Sequence, residues 1–271
     1  FRVNNNNYSS FELGDSYVSK EFQGIGIYSK ILKNALSNNK LKNNSEFLFS
    51  TPNKNSMPGL IKKGFIHSGY KIYTKILPLN FSLLFNLNLI KPFVYMYLFF
   101  IKFFLLFLSL SKDLKVLQIN SFFELPDKFS HNNDIAQYRS KDYLKWRFIN
   151  NPDTYLIYSV YLKEKYIGYL VLKEGLHNSI KVLYLADIFF EKKYSKYSSK
   201  AIAKIILNNS NKYAFLSAWI SKKSHLWSKI SFCLPITYKY IPFIIHKELS
   251  NDIFFDDHRD VHFVLSDGDN I

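Results

Sequence analysis

Cysteine is almost missing from this sequence: Cys233 is the single one in 271 residues. A lone cysteine cannot form an internal disulfide, and without a second cysteine there is no Cys-x-x-Cys pair for zinc binding or redox chemistry. The sequence therefore excludes a disulfide-stapled secreted domain and a cysteine-based zinc site. It favours a reducing, cytoplasmic location.

Acidic side chains are also few, 21 against 36 lysines and arginines, so the net charge is +15. Such a charge suits anionic partners, namely nucleic acids, phosphorylated cofactors or anionic membranes. The lysines are spread along the chain, however, and the abundance of Asn, Lys, Ile, Phe and Tyr is typical of AT-rich coding DNA. We therefore expect no nucleic-acid partner.

Hydrophobic residues make up 48% of the chain, enough to bury one large core or two of medium size. The most apolar stretch is residues 81–110, interrupted at Lys91-Pro92 and at Lys102. Its second part, 93–110, is at the lower limit of length for crossing a bilayer. We interpret it as a buried or interfacial helix that joins two halves of the protein. A peripheral membrane contact or a membrane span is the alternative.

Apolar residues recur along the chain with the periods of strands and helices. Gly64 is expected to cap the C-terminus of the helix that precedes it. We expect strands at 9–18, 46–50, 65–77, 155–162, 166–173, 181–190, 214–221, 236–247 and 261–265, and helices at 27–36, 56–63, 93–110, 140–149, 198–207 and 224–230.

The order of elements repeats. In each half a strand carries an aspartate, Asp15 or Asp187, and is followed by a helix, a strand, a short helix and an aromatic residue, Phe65 or Phe232. Two copies of one fold is the economical interpretation. The sequence thus predicts an α/β protein with mixed sheets, divided into a first domain at 1–80, an apolar linker at 81–114 and a second domain at 115–271.

One segment is suited to binding phosphate. The turn QGIGIY, residues 23–28, stands between a predicted strand and a predicted helix. Glycines without Cβ let the backbone approach an anion, and the first N–H groups of a helix are unpaired and carry positive partial charge. A two-glycine turn is by itself a weak signal, because many such turns only connect elements.

Two motifs, the glycine turn with Gln23, Gly24 and Gly26 and a downstream segment from Asn53 to Gly64-Phe65, together resemble the GNAT superfamily of N-acetyltransferases. VSKEFQGIGIYSKIL follows the family pattern of a Gln or Arg and then Gly-x-Gly, with Gln23, Gly24 and Gly26. Downstream, NKNSMPGLIKKGF has the spacing of the family segment that runs from an Asn, here Asn53, to a terminal Gly-Phe. The family fold begins with elements that precede residue 1, so the first domain is expected to be truncated at its N-terminus.

The resemblance implies an acyl-CoA-dependent N-acyltransferase, with acetyl-CoA as co-substrate and a small amine, such as an amino sugar of surface polysaccharide, as acceptor. The backbone of Tyr17 and Val18 would hold the acyl-thioester arm on a kinked strand, and Asn53 would contact the coenzyme. The pyrophosphate would bind to Gln23, Gly24, Ile25, Gly26, Ile27, Tyr28 and Ser29.

The sequence departs from the family pattern at three places. Tyr28 replaces the usual small residue at the end of the glycine motif, and Leu60 stands where many members have a tyrosine that protonates the departing thiolate. The second copy, EKKYSKYSSKAIAKI, has no glycine pair. We therefore expect that it has lost coenzyme binding and that it shapes the acceptor site or braces the first domain.

The reaction needs a group that removes a proton from the attacking amine, and Glu12, Asp15 and His67 are the candidates. Because Asp15 recurs as Asp187 in the copy without coenzyme, a structural role for both aspartates is favoured. Glu12, on the same predicted strand as the thioester arm, is our predicted base. No metal site is expected at His258 and His262, which lie too far apart on a strand.

Two other classes of protein stay open at this point. Leu60, Tyr28 and the apolar helix fit a non-catalytic coenzyme A-binding or membrane-associated scaffold. Aminoacyl transferases of the cell wall also pair two GNAT-like domains, but they take their acyl group from charged tRNA and do not require the glycine turn. The segment 23–28 therefore favours an acyl group other than aminoacyl.

Overall fold

The computed structural model describes residues 1–3, 6–14, 17–38, 47–80, 91–125, 135–209, 211–250 and 261–267. Its helices are α1 (Ile27–Ser37), α2 (Met57–Ile61), α3 (Lys91–Ser109), α4 (Lys141–Leu144), α5 (Tyr197–Leu207) and α6 (Trp227–Cys233). Its strands are β1 (Arg2–Val3), β2 (Asn6–Asn7), β3 (Ser10–Glu12), β4 (Phe47–Ser50), β5 (Phe65–His67), β6 (Ile72–Pro78), β7 (Leu114–Ile119), β8 (Ile135–Ala136), β9 (Tyr155–Leu162), β10 (Lys165–His177), β11 (Ile180–Phe190), β12 (Phe215–Ser221), β13 (Ile236–Ile241), β14 (Ile244–His246) and β15 (Val261–His262).

Three sheets organise these strands. The largest has seven strands in the order β13-β6-β12-β11-β10-β9-β7, and it is antiparallel except where β11 runs parallel to β12. A four-stranded sheet has the order β3-β4-β14-β5, with β3 parallel to β4. A second four-stranded sheet, β15-β8-β1-β2, joins the first residues of the chain to β8 in its middle and to β15 near its end. The predicted α/β fold with mixed sheets is confirmed.

One arrangement of elements occurs twice. In the first half β3 is followed by α1 and then by the parallel strand β4, and in the second half β11 is followed by α5 and then by the parallel strand β12. A short helix follows in each half, α2 or α6, and leads to β5 or β13. The repeat that the sequence predicted is therefore present in the element order and in the strand pairing.

The two halves exchange their last strands. β6 belongs to the first half, but it lies between β12 and β13 in the seven-stranded sheet. β14 belongs to the second half, but it lies between β4 and β5 in the four-stranded sheet. The division at residues 80 and 115 stays a prediction, but both sheets cross it.

The exchange corrects two predicted strands. Residues 65–77 and 236–247 were each expected to form one strand, yet each forms two strands that belong to different sheets. The breaks fall at Gly69, with φ at 75°, and at Pro242, which cannot donate to a strand ladder. Alternation of apolar residues continues through both breaks, so the pattern alone does not reveal the change of sheet.

Buried side chains fill both faces of the seven-stranded sheet. The larger core lies under α3, α5 and α6, and a smaller one lies on the opposite face, around Phe148 and Tyr169. A third cluster, rich in phenylalanine, lies between strands of different sheets. The helices α1 and α2 cover the sheet β3-β4-β14-β5 through Leu32 and Leu60. The third cluster joins side chains from both halves, including Phe1, Phe47, Phe49, Phe243 and Phe263.

Other elements differ in extent from the sequence prediction. The strand expected at 9–18 ends at Glu12, and the strand expected at 261–265 has two residues. Phe232, expected to correspond to the buried Phe65, is an exposed residue of α6. α3 is not a buried helix, because only 17% of Pro92–Ser109 is buried. By length and composition that segment is able to cross a membrane.

Because each sheet contains a strand from the other half, we expect the two halves to unfold together. Leu48 of β4 is fully buried in the first half, and Leu48→Ala should lower the free energy of unfolding by about 2–5 kcal/mol. All three tryptophans, Trp146, Trp219 and Trp227, lie in the second half and report on it by fluorescence. In urea, tryptophan fluorescence and far-UV circular dichroism should show one transition, shifted equally by Leu48→Ala.

The control for this experiment is Leu176→Ala, at a leucine that is 68% exposed on β10. It should change the free energy of unfolding by no more than about 0.5 kcal/mol. If Leu48→Ala shifts the urea transition seen by circular dichroism but not the one seen by tryptophan fluorescence, the two halves do not unfold together and the prediction is wrong.

Candidate functional site

The glycine turn after β3 has the backbone conformation that only glycine adopts readily. The chain passes through a short 3-10 helix, Lys20–Phe22, and then through Gly24 and Gly26, whose φ angles are 83° and 82°. A Cβ at either glycine would meet no atom within 4 Å, so both glycines face open space. Any other residue here would strain the backbone and place a side chain in that space.

Gly26 is the N-cap of α1, and the first turn of this helix leaves its amides unpaired. The Lys30 N–H donates to the Gly26 carbonyl at 3.1 Å, which is the first hydrogen bond of the helix. Within the part of the chain that the structure describes, the N–H groups of Ile27, Tyr28 and Ser29 donate to no other residue. They give the open side of the turn a positive partial charge.

A groove of about 290 Å³ opens at this point. Seven of the ten predicted coenzyme-binding residues line it, and Ile25 is exposed beside it. Phe22 also lines the groove and was missed, because an apolar residue before a glycine turn carries no chemical signal in the sequence. The lining residues are Val18, Phe22, Gln23, Gly24, Gly26, Ile27, Tyr28 and Ser29.

The side chains of Gln23 and Tyr28 shape the groove through contacts with neighbouring residues. The Gln23 Nε2 donates to the Val18 carbonyl at 2.9 Å, which holds the incoming segment against the turn. The Tyr28 ring lies on Gly59 of α2, where a Cβ would come within 2.8 Å of Tyr28 Cε1. Burial raises the pKa of the Tyr28 hydroxyl. A large residue fits at position 28 because glycine stands at position 59.

The parallel pairing of β3 and β4 ends shortly before the segment that leads to the groove. β3 pairs with β4 up to Glu12, the Leu13 N–H donates to the Phe49 carbonyl at 3.0 Å, and the Ser50 hydroxyl donates to the Leu13 carbonyl at 2.6 Å. Tyr17, which is exposed, and Val18 were expected to lie on this strand, and that expectation is wrong. They lie in the irregular segment that leads to the groove.

The candidate bases are not brought together. The Glu12 Oε1 accepts a hydrogen bond from the Thr51 hydroxyl at 2.9 Å, and this pair lies at the end of the β3–β4 ladder. His67 is on β5, which β4 and β14 separate from β3, so it stands about 14 Å from that strand. Asp15 lies outside the described residues.

The remaining motif residues have structural contacts. The Asn53 Oδ1 accepts from the N–H groups of Asn55 and Ser56 at 2.9 and 3.0 Å, which orders the turn before α2. Asn53 does not line the groove. Leu60 is fully buried against α1, so position 60 offers no proton donor.

No protein-family model matches the chain, and no curated protein matches it in sequence. Solved structures do share its architecture. A GCN5-related N-acetyltransferase from Anabaena variabilis superposes with a TM-score of 0.53 at 13% identity, over 84% of this chain and 52% of that one. One from Kribbella flavida gives 0.51 at 9% identity, over 87% and 51%. A tandem GNAT protein from the clavulanic acid biosynthesis pathway gives 0.53 at 9% identity, over 87% and 74%.

The chain has the GNAT fold. It spans about half the length of the first two of these structures.

The second copy of this GNAT unit has no glycine turn at the corresponding place. A 3-10 helix, Lys192–Tyr194, connects β11 to α5. Asp187 of β11 is completely buried and serves structure, as predicted. Arg139 binds it through three contacts of 2.9–3.1 Å, the Tyr169 hydroxyl donates to it at 2.9 Å, and Arg139 also binds Asp267 at 2.7 Å.

The described residues contain no group of three or more side chains that could hold a metal ion, so their histidines do not form a metal site. His262 instead bonds the Ser224 hydroxyl and the Ile188 carbonyl, at 2.9 and 3.1 Å. Burial, together with Arg139, lowers the pKa of His262 well below its usual value, so it is neutral near pH 7. His258 lies outside the described residues.

Proposed function

We propose that this protein is an acyl-CoA-dependent N-acyltransferase that acts on a small amine. The observation that supports the proposal is the groove at the N-terminus of α1, with two glycines at positive φ and unpaired helix amides, which follows the end of the β3–β4 ladder. The GNAT fold supports acyl transfer as the reaction.

The groove would bind the coenzyme through its diphosphate. The N–H groups of Ile27, Tyr28 and Ser29 donate to phosphate oxygens, and the helix dipole adds to the attraction. Gly24 and Gly26 keep the space above the turn clear of side chains. Gln23 acts here as a positioning residue, since its amide group is bonded to the Val18 carbonyl.

The acyl group would lie at the end of the β3–β4 ladder. A neutral amine attacks the thioester carbonyl, main-chain N–H groups stabilise the oxyanion, and the coenzyme leaves as a thiolate. Glu12, the last residue of β3, takes the proton from the amine directly or through water. Position 60 supplies no donor, so the thiolate takes its proton from solvent.

The buried Leu60 also favours a second candidate function, coenzyme A binding without transfer. Calorimetry with acetyl-CoA and a thiol-release assay with a panel of amines, amino sugars included, distinguish the two. Binding with thiol release supports the transferase, and binding without release for any amine supports the second candidate. Failure to bind acetyl-CoA overturns both, and transfer from charged tRNA instead would place the protein among the aminoacyl transferases.

Glu12→Gln removes the proposed base and keeps the side-chain volume. We expect kcat to fall by about 10²–10⁴-fold, with the dissociation constant for acetyl-CoA unchanged, because Glu12 does not line the coenzyme groove. The rate of thiol release at saturating acetyl-CoA measures this effect. Glu164→Gln, at an exposed glutamate, is the control. An unchanged kcat in Glu12→Gln would remove Glu12 from the mechanism.

A further inference from the structure

Helix α3 has two apolar faces, and only one of them is packed against the protein. Leu105 is completely buried, and Ile101, Phe104 and Leu108 pack with it on the core under α5. The Tyr97 hydroxyl donates to the Pro78 carbonyl at the end of β6. Helices of soluble proteins normally expose a polar face, so the composition of the outer face requires an explanation.

The outer face of α3 carries an apolar stripe at helical spacing. Its members are all more than half exposed, and Phe232 of α6, whose ring lies 5.6 Å from Phe104, extends the exposed apolar surface beyond the helix. A continuous apolar surface of this kind marks a site of contact with a protein or a membrane. The stripe consists of Phe93, Met96, Phe100, Phe103, Phe107 and Leu110, flanked by Tyr95, Phe99 and Leu106.

Charge is segregated on the elements around this stripe. No aspartate or glutamate occurs between Glu46 and Asp113, or between Glu191 and Glu248. These two segments contain 19 lysines, and the rest of the chain has 17 basic and 21 acidic residues, so they account for the whole positive charge. Among other elements they include α3, α5 and α6, which pack on one face of the seven-stranded sheet, and β13 and β6, the two strands at one edge of it. Lysines occur throughout the sequence, whereas all aspartates and glutamates lie outside these two segments.

The connections of α3 place it across the protein surface. β6 precedes it and β7 follows it, and both belong to the same sheet, five strand spacings or about 24 Å apart. The 19 residues of α3 are about 28 Å long, which matches that separation. Lys200 and Lys204 donate to the Leu110 and Ser111 carbonyls at 3.2 and 3.1 Å and hold the C-terminal end of the helix. A helix held in this way lies along the protein surface.

We propose that the α3 stripe and its lysine-rich surroundings are a membrane-binding surface, which holds the protein on an anionic lipid bilayer with α3 in the plane of the interface. The apolar side chains enter the acyl-chain boundary, and the lysines contact anionic headgroups. A second copy of the chain is the less suitable occupant, because it would bring two carboxylate-free, lysine-rich surfaces together.

The test is co-sedimentation of the full chain with vesicles of phosphatidylcholine alone or with one-quarter phosphatidylglycerol. We expect at least about 50-fold stronger partitioning to the anionic vesicles, which falls steeply in about 1 M NaCl. The triple variant Phe100→Ser/Phe103→Ser/Phe107→Ser should lose at least about 100-fold. A control, Leu117→Ser/Leu176→Ser, replaces exposed leucines elsewhere and should stay within about threefold of wild type.

Three outcomes would overturn the proposal. The first is wild-type protein that stays in the supernatant with anionic vesicles, and the second is a stripe variant that sediments as wild type does. The third is a dimer, seen by analytical ultracentrifugation without lipid, that the stripe variant abolishes. Release of the bound protein by alkaline carbonate supports an in-plane helix, whereas retention would show a spanning one. Acetyl-CoA affinity should be equal in all variants, which verifies folding.

Discussion

Gly24→Ala/Gly26→Ala should weaken acetyl-CoA binding by at least about 100-fold. Both glycines have φ near 82°, so alanine either keeps this conformation and projects a methyl group into the groove, or moves to negative φ and turns the amides away. Either change costs at least two hydrogen bonds to a charged diphosphate, each about 1.5–3 kcal/mol. Isothermal titration calorimetry measures the effect.

Backbone strain needs a matched control, and Gly69 supplies it. Its φ is 75°, but it lies between β5 and β6 and does not line the groove. Gly69→Ala should therefore lower the free energy of unfolding by about 1–2 kcal/mol, as each glycine-turn substitution does, and leave acetyl-CoA affinity unchanged. If Gly69→Ala and Gly24→Ala/Gly26→Ala lose acetyl-CoA affinity equally, the loss is due to destabilisation and the proposed diphosphate site is wrong.

A second variant separates binding from folding altogether. Ser29 lies in the first turn of α1 and lines the groove. Ser29→Glu places a carboxylate at the positive end of the helix dipole, which should maintain stability or raise it by about 0.3–1 kcal/mol. The same carboxylate occupies the position of the diphosphate and repels its negative charge. Stable protein that no longer binds acetyl-CoA is the expected result, and Ser29→Gln, which adds no charge, should bind more tightly than Ser29→Glu.

The largest loss of stability is expected from Arg139→Ala. The Arg139 guanidinium contacts Asp187 and Asp267, and its side chain and that of Asp187 are 0% exposed. Removing the arginine leaves two carboxylates in an apolar core without their counter-charge. The free energy of unfolding should fall by about 3–5 kcal/mol or more, measured by urea denaturation with tryptophan fluorescence.

The reason for this loss can be tested by removing the charges together. Arg139→Met combined with Asp187→Asn and Asp267→Asn leaves no unpaired charge, and most of the lost stability should return, since buried ion pairs are worth little relative to neutral replacements. Lys115→Ala breaks the exposed ion pair with Glu164 and should cost no more than about 1 kcal/mol. A triple variant as unstable as Arg139→Ala would show that the network contributes through its specific hydrogen bonds.

Sequence predictions held where the signal is local. The helix expected at 27–36 is observed as Ile27–Ser37, and the turn at Gly24 and Gly26 has the positive φ that two glycines before an apolar stripe indicate. The helices Lys91–Ser109 and Tyr197–Leu207, and the hairpin of β9 and β10, also lie within a few residues of their predicted positions. Propensity, periodicity and capping act over a few residues, so the sequence contains them directly.

Predictions failed where the outcome depends on distant residues. Tyr17 and Val18 were placed on a strand, but that strand ends at Glu12, where its pairing with β4 ends. His67 was considered a base, but the insertion of β14, more than 170 residues later in the chain, places it far from Glu12. The alternation of apolar residues along the chain shows neither where the β3–β4 ladder ends nor how far His67 lies from Glu12.

By itself the sequence determined the glycine turn, the order of the elements and their repetition, because these follow from interactions between near neighbours in the chain. Tertiary structure decided which sheet receives β6 and β14, which face of α3 is left uncovered, and that α3, α5 and α6 of the two carboxylate-free segments pack against one another. These features depend on packing between residues far apart in the chain, and one apolar pattern is compatible with several such packings.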